Sequence, residues 1–271
     1  MPAEPRPVGD DPFCAFPRIA EALDRLAAGA TWALTGVSAL LLDPDGRLVI
    51  EITKPKHWRT DTQGRPLIGL GAIGGSLESG ETALGCLRRE IQEEVGGSAE
   101  ILSAGGDAPS HDAILVHEQR TIVVQPLRNR SISRREPGVG RSGAEHGSAP
   151  SPSRGPEFVP RPALFTVSAN LYRRQELDAQ VLTIATYWAR LCEPPRVGDV
   201  HGLLKLPLDR IGTLLAEHNL PLREALGIDG LRLETRSPLP PDALLQPAWT
   251  IRSLQLALRA GYAFEAPDGG G

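Results

Sequence analysis

Residues 75–97 read GSLESGETALGCLRREIQEEVGG, and this stretch decides the fold that the chain predicts. Glu81 and Thr82 supply an anionic, polar start for a helix, and Gly96 with Gly97 supplies its end. Apolar residues recur between these ends at helical spacing, at Leu84, Leu87, Ile91 and Val95. The pattern predicts an amphipathic helix from Thr82 to Val95 that docks its apolar face on a core.

Three glutamates of this helix, Glu90, Glu93 and Glu94, lie within five positions. A helix turns about 100° per residue, so their side chains fan across one face that is also about 100° wide. Like charges at this spacing destabilise a helix by about 0.2–0.5 kcal/mol per pair. A hard divalent cation would compensate, because carboxylate oxygens are its preferred ligands. The alternative is an ordinary solvated face, on which Arg89 steadies Glu93 four residues later.

The segment resembles the Nudix box, G-x5-E-x7-R-E-U-x-E-E-x-G-U, in which U is a bulky aliphatic residue. The residues that match in register are Gly75, Glu81, Arg89, Glu90, Ile91, Glu93, Glu94 and Gly96. Gly97 stands where the pattern has its last aliphatic residue, a departure that should weaken packing but leave the chemistry intact. Flanking strands extend the resemblance from about Trp32 to Glu217.

The resemblance implies an α/β fold, with a Nudix-type α/β/α sandwich around a mixed β-sheet. It also implies a hydrolase acting on acid anhydrides. Such an enzyme uses Mg2+, or Mn2+, to cleave the pyrophosphate linkage of a nucleoside diphosphate joined to another group. The expected partner is therefore a small-molecule nucleotide substrate.

The same resemblance assigns roles to residues of the box. The implied metal ligands are Glu90, Glu93, Glu94 and, through its carbonyl, Gly75. Arg89 would orient the glutamates, and Glu81 would stabilise the loop or reach a metal through water. Glu93 or Glu94 would be the general base if it comes from the box. Glu118, after the strand AILVH, is a candidate from outside it, with an exposed strand-end charge as the alternative.

A basic cluster precedes the box along the chain. Lys54, Lys56 and Arg59 could bind the phosphates of the substrate, as point charges or as a bidentate clamp. Trp58 could stack on a base. The alternatives are a solvated loop for the cations and an ordinary packing role for the indole.

Composition excludes several classes of partner. A net charge of −4 gives no electrostatic argument for binding nucleic acid or an anionic membrane. No apolar run approaches the ~20 residues that span a bilayer. Cys14, Cys86 and Cys192 form neither a CxxC pair nor a convincing disulfide framework. These features predict a cytoplasmic protein, and a hydrophobic content of 41% predicts a sizeable core.

We expect three regions along the 271 residues. Residues 1–30 form a lead-in and a short helix, residues 31–220 form the Nudix hydrolase domain, and residues 221–271 form a C-terminal helical extension. Within the domain, residues 128–161 are rich in Arg, Ser, Gly and Pro, which predicts a disordered, flexible insertion. This insertion is either a neutral expansion or a lid or partner-binding segment. The C-terminal helix either packs on the core or makes a homodimer contact.

Two other functions stay open beside the hydrolase. The first is a non-hydrolytic, Nudix-like module that senses or regulates through a bound nucleotide. Degenerate boxes mark such modules, whereas this box retains every acidic position, which favours an enzyme. The second is an interaction protein that captures partners through the insertion and in which hydrolysis is secondary.

Overall fold

The structure, a computed structural model, describes residues 12–102, 113–118, 120–124, 160–169, 179–264 and 266. Nearly all of the predicted insertion at 128–161 lies outside the described residues. The helices are α1 (Pro12–Ala15), α2 (Pro17–Ala27), α3 (Ala83–Val95), α4 (Ile211–Leu214), α5 (Leu222–Ala225) and α6 (Trp249–Arg259). Within the described ranges, no helix is long and apolar enough to cross a membrane.

The strands, in chain order, join one mixed sheet. They are β1 (Trp32–Leu42), β2 (Arg47–Ile52), β3 (Arg59–Thr60), β4 (Pro66–Gly71), β5 (Ile73–Ser76), β6 (Ala99–Ile101), β7 (Ala113–His117), β8 (Arg120–Val124), β9 (Leu164–Ala169), β10 (Val181–Leu191), β11 (Gly202–Pro207), β12 (Leu220–Pro221), β13 (Arg232–Thr235) and β14 (Leu244–Pro247). The main path through the sheet runs β12-β14-β4-β2-β1-β10-β9-β7-β8.

The long strands β1 and β10 form the centre of the sheet and run parallel. β2 and β5 pair with β1 in the antiparallel sense, and β11 pairs with β2 in the same sense. β14 lies parallel to β4, which in turn pairs with β2. The predicted mixed sheet of an α/β fold is confirmed.

Helices cover both faces of this sheet. On one face, α2 and α3 bury apolar residues such as Leu23 and Ile91 against the sheet. On the other face, α6 buries Ile251 and Leu254. Successive β1 residues alternate between the two cores, which explains why this strand is apolar at nearly every position rather than at every second one. The layers therefore stack as helix, sheet and helix.

The C-terminal part of the chain is more than a helix. β13 pairs with β11, and β14 pairs with β4, so residues beyond 220 add two strands to the sheet before α6 begins. The division of the chain at residue 220 stays a prediction. Structurally, both sides of that point contribute to one sheet.

Candidate active site

The box helix α3 is held at both ends by the residues that the sequence singled out. The Oγ1 atom of Thr82 accepts the backbone N–H of Gly85 at 3.0 Å, which caps the N-terminus. Gly96 adopts a left-handed φ of 68° and donates its N–H to the Gln92 carbonyl at 3.1 Å. The apolar residues of the helix are buried against the core, and the glutamates lie beside this apolar face.

Arg89 connects the charged residues of this face. Its Nε and Nη2 atoms donate to the two carboxylate oxygens of Glu81 at 2.9 and 3.0 Å. Its Nη1 atom donates to Glu90 Oε1 at 2.8 Å and to Glu93 Oε2 at 3.4 Å. The hydrogen bonds from Arg89 to Glu81 favour the ionised form of Glu81 and lower the pKa of its carboxyl to about 2. The geometry is consistent with the orienting role predicted for Arg89.

Glu81 also braces the loop that leads into the helix. Its Oε2 atom accepts the backbone N–H of Glu78 at 3.1 Å. From the other side, Arg89 donates to the carbonyl of Ser76 at 3.3 Å. The loop is thereby tied to α3 at two points, which fits the loop-stabilising role predicted for Glu81.

Glu94 turns inward from α3 toward the sheet. Its Oε2 atom accepts the backbone N–H of Gly74 at 2.9 Å. Burial raises the pKa of the Glu94 carboxyl to about 9, and the nearby charge of Glu51 raises it as well. Burial also raises the pKa of Glu90, although its hydrogen bond from Arg89 opposes that shift. Glu93 points outward, with 52% of its side chain exposed.

Glu51 belongs to this cluster, and sequence reasoning missed it. It lies on β2 opposite Gly71 of β4. Burial raises the pKa of its carboxyl to about 7; the charge of Lys54 lowers it and the charge of Glu90 raises it. The available signal was a single acid in the otherwise apolar run LVIEI at residues 48–52. Such a residue in a buried strand needs a partner or a function.

Two glycines leave room for these carboxylates. A Cβ atom at Gly75 would lie 2.1 Å from Glu90 Oε1, and one at Gly71 would lie 2.6 Å from Glu51 Oε2. Any other residue at either position would collide with a carboxylate. The carbonyl of Gly75, a predicted ligand, lies in β5 where this strand pairs with β1.

The donor set of this cluster consists of carboxylate oxygens. In the part of the chain that the structure describes, no three or more His, Cys, Asp or Glu side chains already converge as a set of metal ligands, so the carboxylates would have to move together around a cation. The chemistry of the donors nevertheless suits one. The charge of Glu90 raises the pKa of both Glu51 and Glu94, and carboxylate oxygens are the ligands that Mg2+ prefers. A bound cation would remove this repulsion.

The predicted substrate-binding cations occupy different settings. Lys54 Nζ forms an ion pair with Asp199 Oδ2 at 2.7 Å, whereas Lys56 and Arg59 are exposed. Trp58 donates its indole N–H to the Thr53 carbonyl at 2.7 Å and packs edge-on against His201, at 5.2 Å between ring centroids. Its stacking on a base stays a prediction, since the ring already has a packing role.

Glu118, the candidate base outside the box, lies exposed in the turn after β7. The structure assigns it no contact with the glutamates of α3. Its alternative interpretation, a strand-end charge, agrees with this position.

Comparison with known proteins finds one family model that matches part of the chain. The model of the NUDIX domain family matches residues 33–131. No curated protein matches the chain. Seventeen chains of solved structures match it. One is described as "Solution structure of the E. coli ORF135 protein"; it is 13% identical, with a TM-score of 0.35, over 88% of this chain and 98% of that one. The matched residues 33–131 contain nearly all of β1, all of β2 and the whole box, so this part of the chain is similar to the NUDIX domain.

Proposed function

We propose that this protein is a metal-dependent hydrolase that cleaves the pyrophosphate linkage of a nucleoside diphosphate joined to another group. At family level, the Nudix domain supports a hydrolase acting on pyrophosphate bonds. The observation that carries the proposal for this chain is the position of Glu51, Glu90 and Glu94 beside the glycines of residues 71–75. Carboxylates grouped in this way attract a hard divalent cation.

Each residue of the site then has a defined task. Glu90, Glu94 and Glu51 would hold Mg2+ or Mn2+, with Glu93 and the carbonyl of Gly75 as further donors. When bound, such a cation neutralises phosphoryl oxygens and lowers the pKa of a coordinated water. Arg89 fixes the orientation of Glu90 through its 2.8 Å hydrogen bond.

The remaining side chains would accept the proton and bind the substrate. Glu93 or Glu94 would accept the proton of the attacking water, a step that typically contributes about 10²–10⁴-fold to the rate. Glu94 is oriented for it by the N–H of Gly74, whereas Glu93 faces solvent. Lys54, Lys56 and Arg59 would bind the phosphate groups of the substrate that extend beyond the metal-binding cluster.

The first experiment is a substrate screen. Purified protein is incubated with a panel of nucleoside diphosphate derivatives and either Mg2+ or Mn2+, and the products are identified by mass. We expect cleavage between the two phosphorus atoms. Glu94→Gln and Glu93→Gln should each lower turnover by about 10²-fold or more while the fold is retained, because each exchange is nearly isosteric.

The matched control is Glu224→Gln, which alters an exposed glutamate on the short helix α5. Its turnover should equal that of the original protein. Binding of a nucleotide without cleavage under either metal would contradict the proposal and favour a nucleotide sensor.

A further inference from the structure

The loop between β10 and β11 closes over the C-terminal end of the box helix. We call residues 196–199 of this loop the clamp segment. Arg196 donates its backbone N–H to the carbonyl of Val95 at 3.0 Å, Gly198 donates to Glu94 at 2.9 Å, and Asp199 donates to Glu93 at 2.7 Å. A helix leaves such C-terminal carbonyls without partners of its own. The clamp segment therefore binds the helical turn that carries Glu93 and Glu94.

The contact depends on a residue without a side chain. A Cβ atom at Gly198 would lie 2.2 Å from the carbonyl oxygen of Glu93 and 2.7 Å from that of Glu94. Arg236, just after β13, donates from its guanidinium to the carbonyl of Gly198. The backbone of the clamp segment is thus fixed from two sides, and the position of the Asp199 side chain follows from it.

Asp199 pairs with a lysine that has other acidic neighbours. The Lys54 ammonium lies 2.7 Å from Asp199 Oδ2. Lys54 follows β2, the strand that carries Glu51, and the backbone of its partner Asp199 is bonded to the turn of α3 that carries Glu94. The ammonium charge lowers the pKa of both carboxyls. Among Asp199, Glu51 and Glu94, Lys54 pairs with Asp199, which does not belong to the acidic cluster.

We propose that Asp199 is a positioning residue, which holds the Lys54 ammonium away from Glu51 and Glu94 and so keeps both carboxylates available to a divalent cation. An ammonium paired with either glutamate would supply the positive charge that the cation otherwise brings and would compete with it. The inference rests on the proposed function, since it concerns the cation that hydrolysis would need. It also places Lys54 at the edge of the cluster, where a phosphate could reach it.

The test measures Mn2+ binding in the absence of nucleotide, from the paramagnetic resonance signal of free Mn2+. Asp199→Asn should weaken binding by up to about fivefold, the upper range of one exposed ion pair. Asp45→Asn is the matched control, because Asp45 pairs with Arg47 at the same 2.7 Å and its side chain is equally exposed, at 68%. An Asp199→Asn variant with the affinity of the original protein would overturn the inference.

A second variant separates positioning from a general structural effect. Lys54→Met should strengthen Mn2+ binding much more in the Asp199→Asn background than in the original protein, because only there is the ammonium released onto the glutamates. An equal gain in both backgrounds would overturn the inference, since Asp199 would then act independently of Lys54. Failure of the original protein to bind Mn2+ at all would overturn the proposed function as well.

Discussion

Two carboxyl groups of the site ionise far above the range of an exposed glutamate. The pKa of Glu51 is raised to about 7 and that of Glu94 to about 9, mainly through burial, from an ordinary value of 4.5. Between pH 4.5 and these values, the folded protein holds protons that the unfolded chain releases. Its stability must therefore fall as the pH rises through that window.

This reasoning predicts the pH dependence of the metal-free protein. The free energy of unfolding should decrease from about pH 5 to pH 9, by at most about 1.4 kcal/mol per pH unit for each group. Glu94→Gln removes one of the two groups and should flatten the decline. Urea unfolding in the presence of a chelator at pH 5, 7 and 9 measures this decline in the free energy of unfolding. Identical slopes for the variant and the original protein would show that Glu94 does not carry the effect.

Residues of the site differ in how far the sequence could predict them. Arg89 and Glu81 lie eight positions apart on and before one helix, so a local motif captured their contact. Glu51 lies 39 positions before Glu90, and the pairing of strands in the sheet, where β1 pairs with both β2 and β5, brings it to the box. Asp199 lies still farther along the chain, and no local pattern marks it.

At the scale of elements, the sequence predicted a helix correctly where all of its local signals agreed. The box helix, predicted from Thr82 to Val95, spans Ala83–Val95 with Thr82 as its cap, because cap, apolar spacing and terminal glycine all agree. Apolar residues also recur at helical spacing over 208–217, but this segment forms a 3-10 turn, Leu208–Arg210, and the four-residue helix α4. The apolar residues of this segment pack against the core, and the segment forms a compact connection.

The C-terminal helix shows the limit of local patterns more clearly. A helical extension was expected over residues 221–271, and α6 occupies Trp249–Arg259 within it. The residues before it, Leu244–Pro247, form β14 because they pair in parallel with β4, which lies about 180 positions earlier in the chain. Such a pairing depends on tertiary contacts, which the spacing of apolar residues within one segment does not encode.

The contact between the clamp segment and α3 yields a prediction with an internal contrast. Gly198→Ala should destabilise the protein by about 1–3 kcal/mol, because the new Cβ would meet two backbone oxygens of α3. Gly212→Ala, within α4, meets no atom within 4 Å and should be neutral or stabilise by up to about 1 kcal/mol. Denaturant unfolding of the two variants measures both. Equal effects on the free energy of unfolding would mean that the clamp segment can shift without loss of stability. That result would contradict its role as a fixed support of α3.

At the scale of the whole molecule, the sheet gathers the site from distant segments. β2 supplies Glu51, β5 supplies Gly74 and Gly75, and α3 supplies the remaining glutamates. The matched family segment ends at residue 131, yet β9, β10, β11, β13 and β14 complete the same sheet beyond it. The resemblance therefore predicted the architecture well, and it could not predict how this chain's later strands and clamp segment close around the site.

The central claim is that the clustered carboxylates bind a divalent cation, and proton release on binding tests it most directly. Calorimetric titration with Mn2+ in buffers of different ionisation enthalpy counts the protons that the cation displaces. At pH 6.5 we expect about one to two protons per site, since Glu51 and Glu94 are then largely protonated in the metal-free protein. The number should fall toward zero above pH 9 and decrease in Glu94→Gln. Absence of binding, or binding with the same proton release in that variant, would contradict the account.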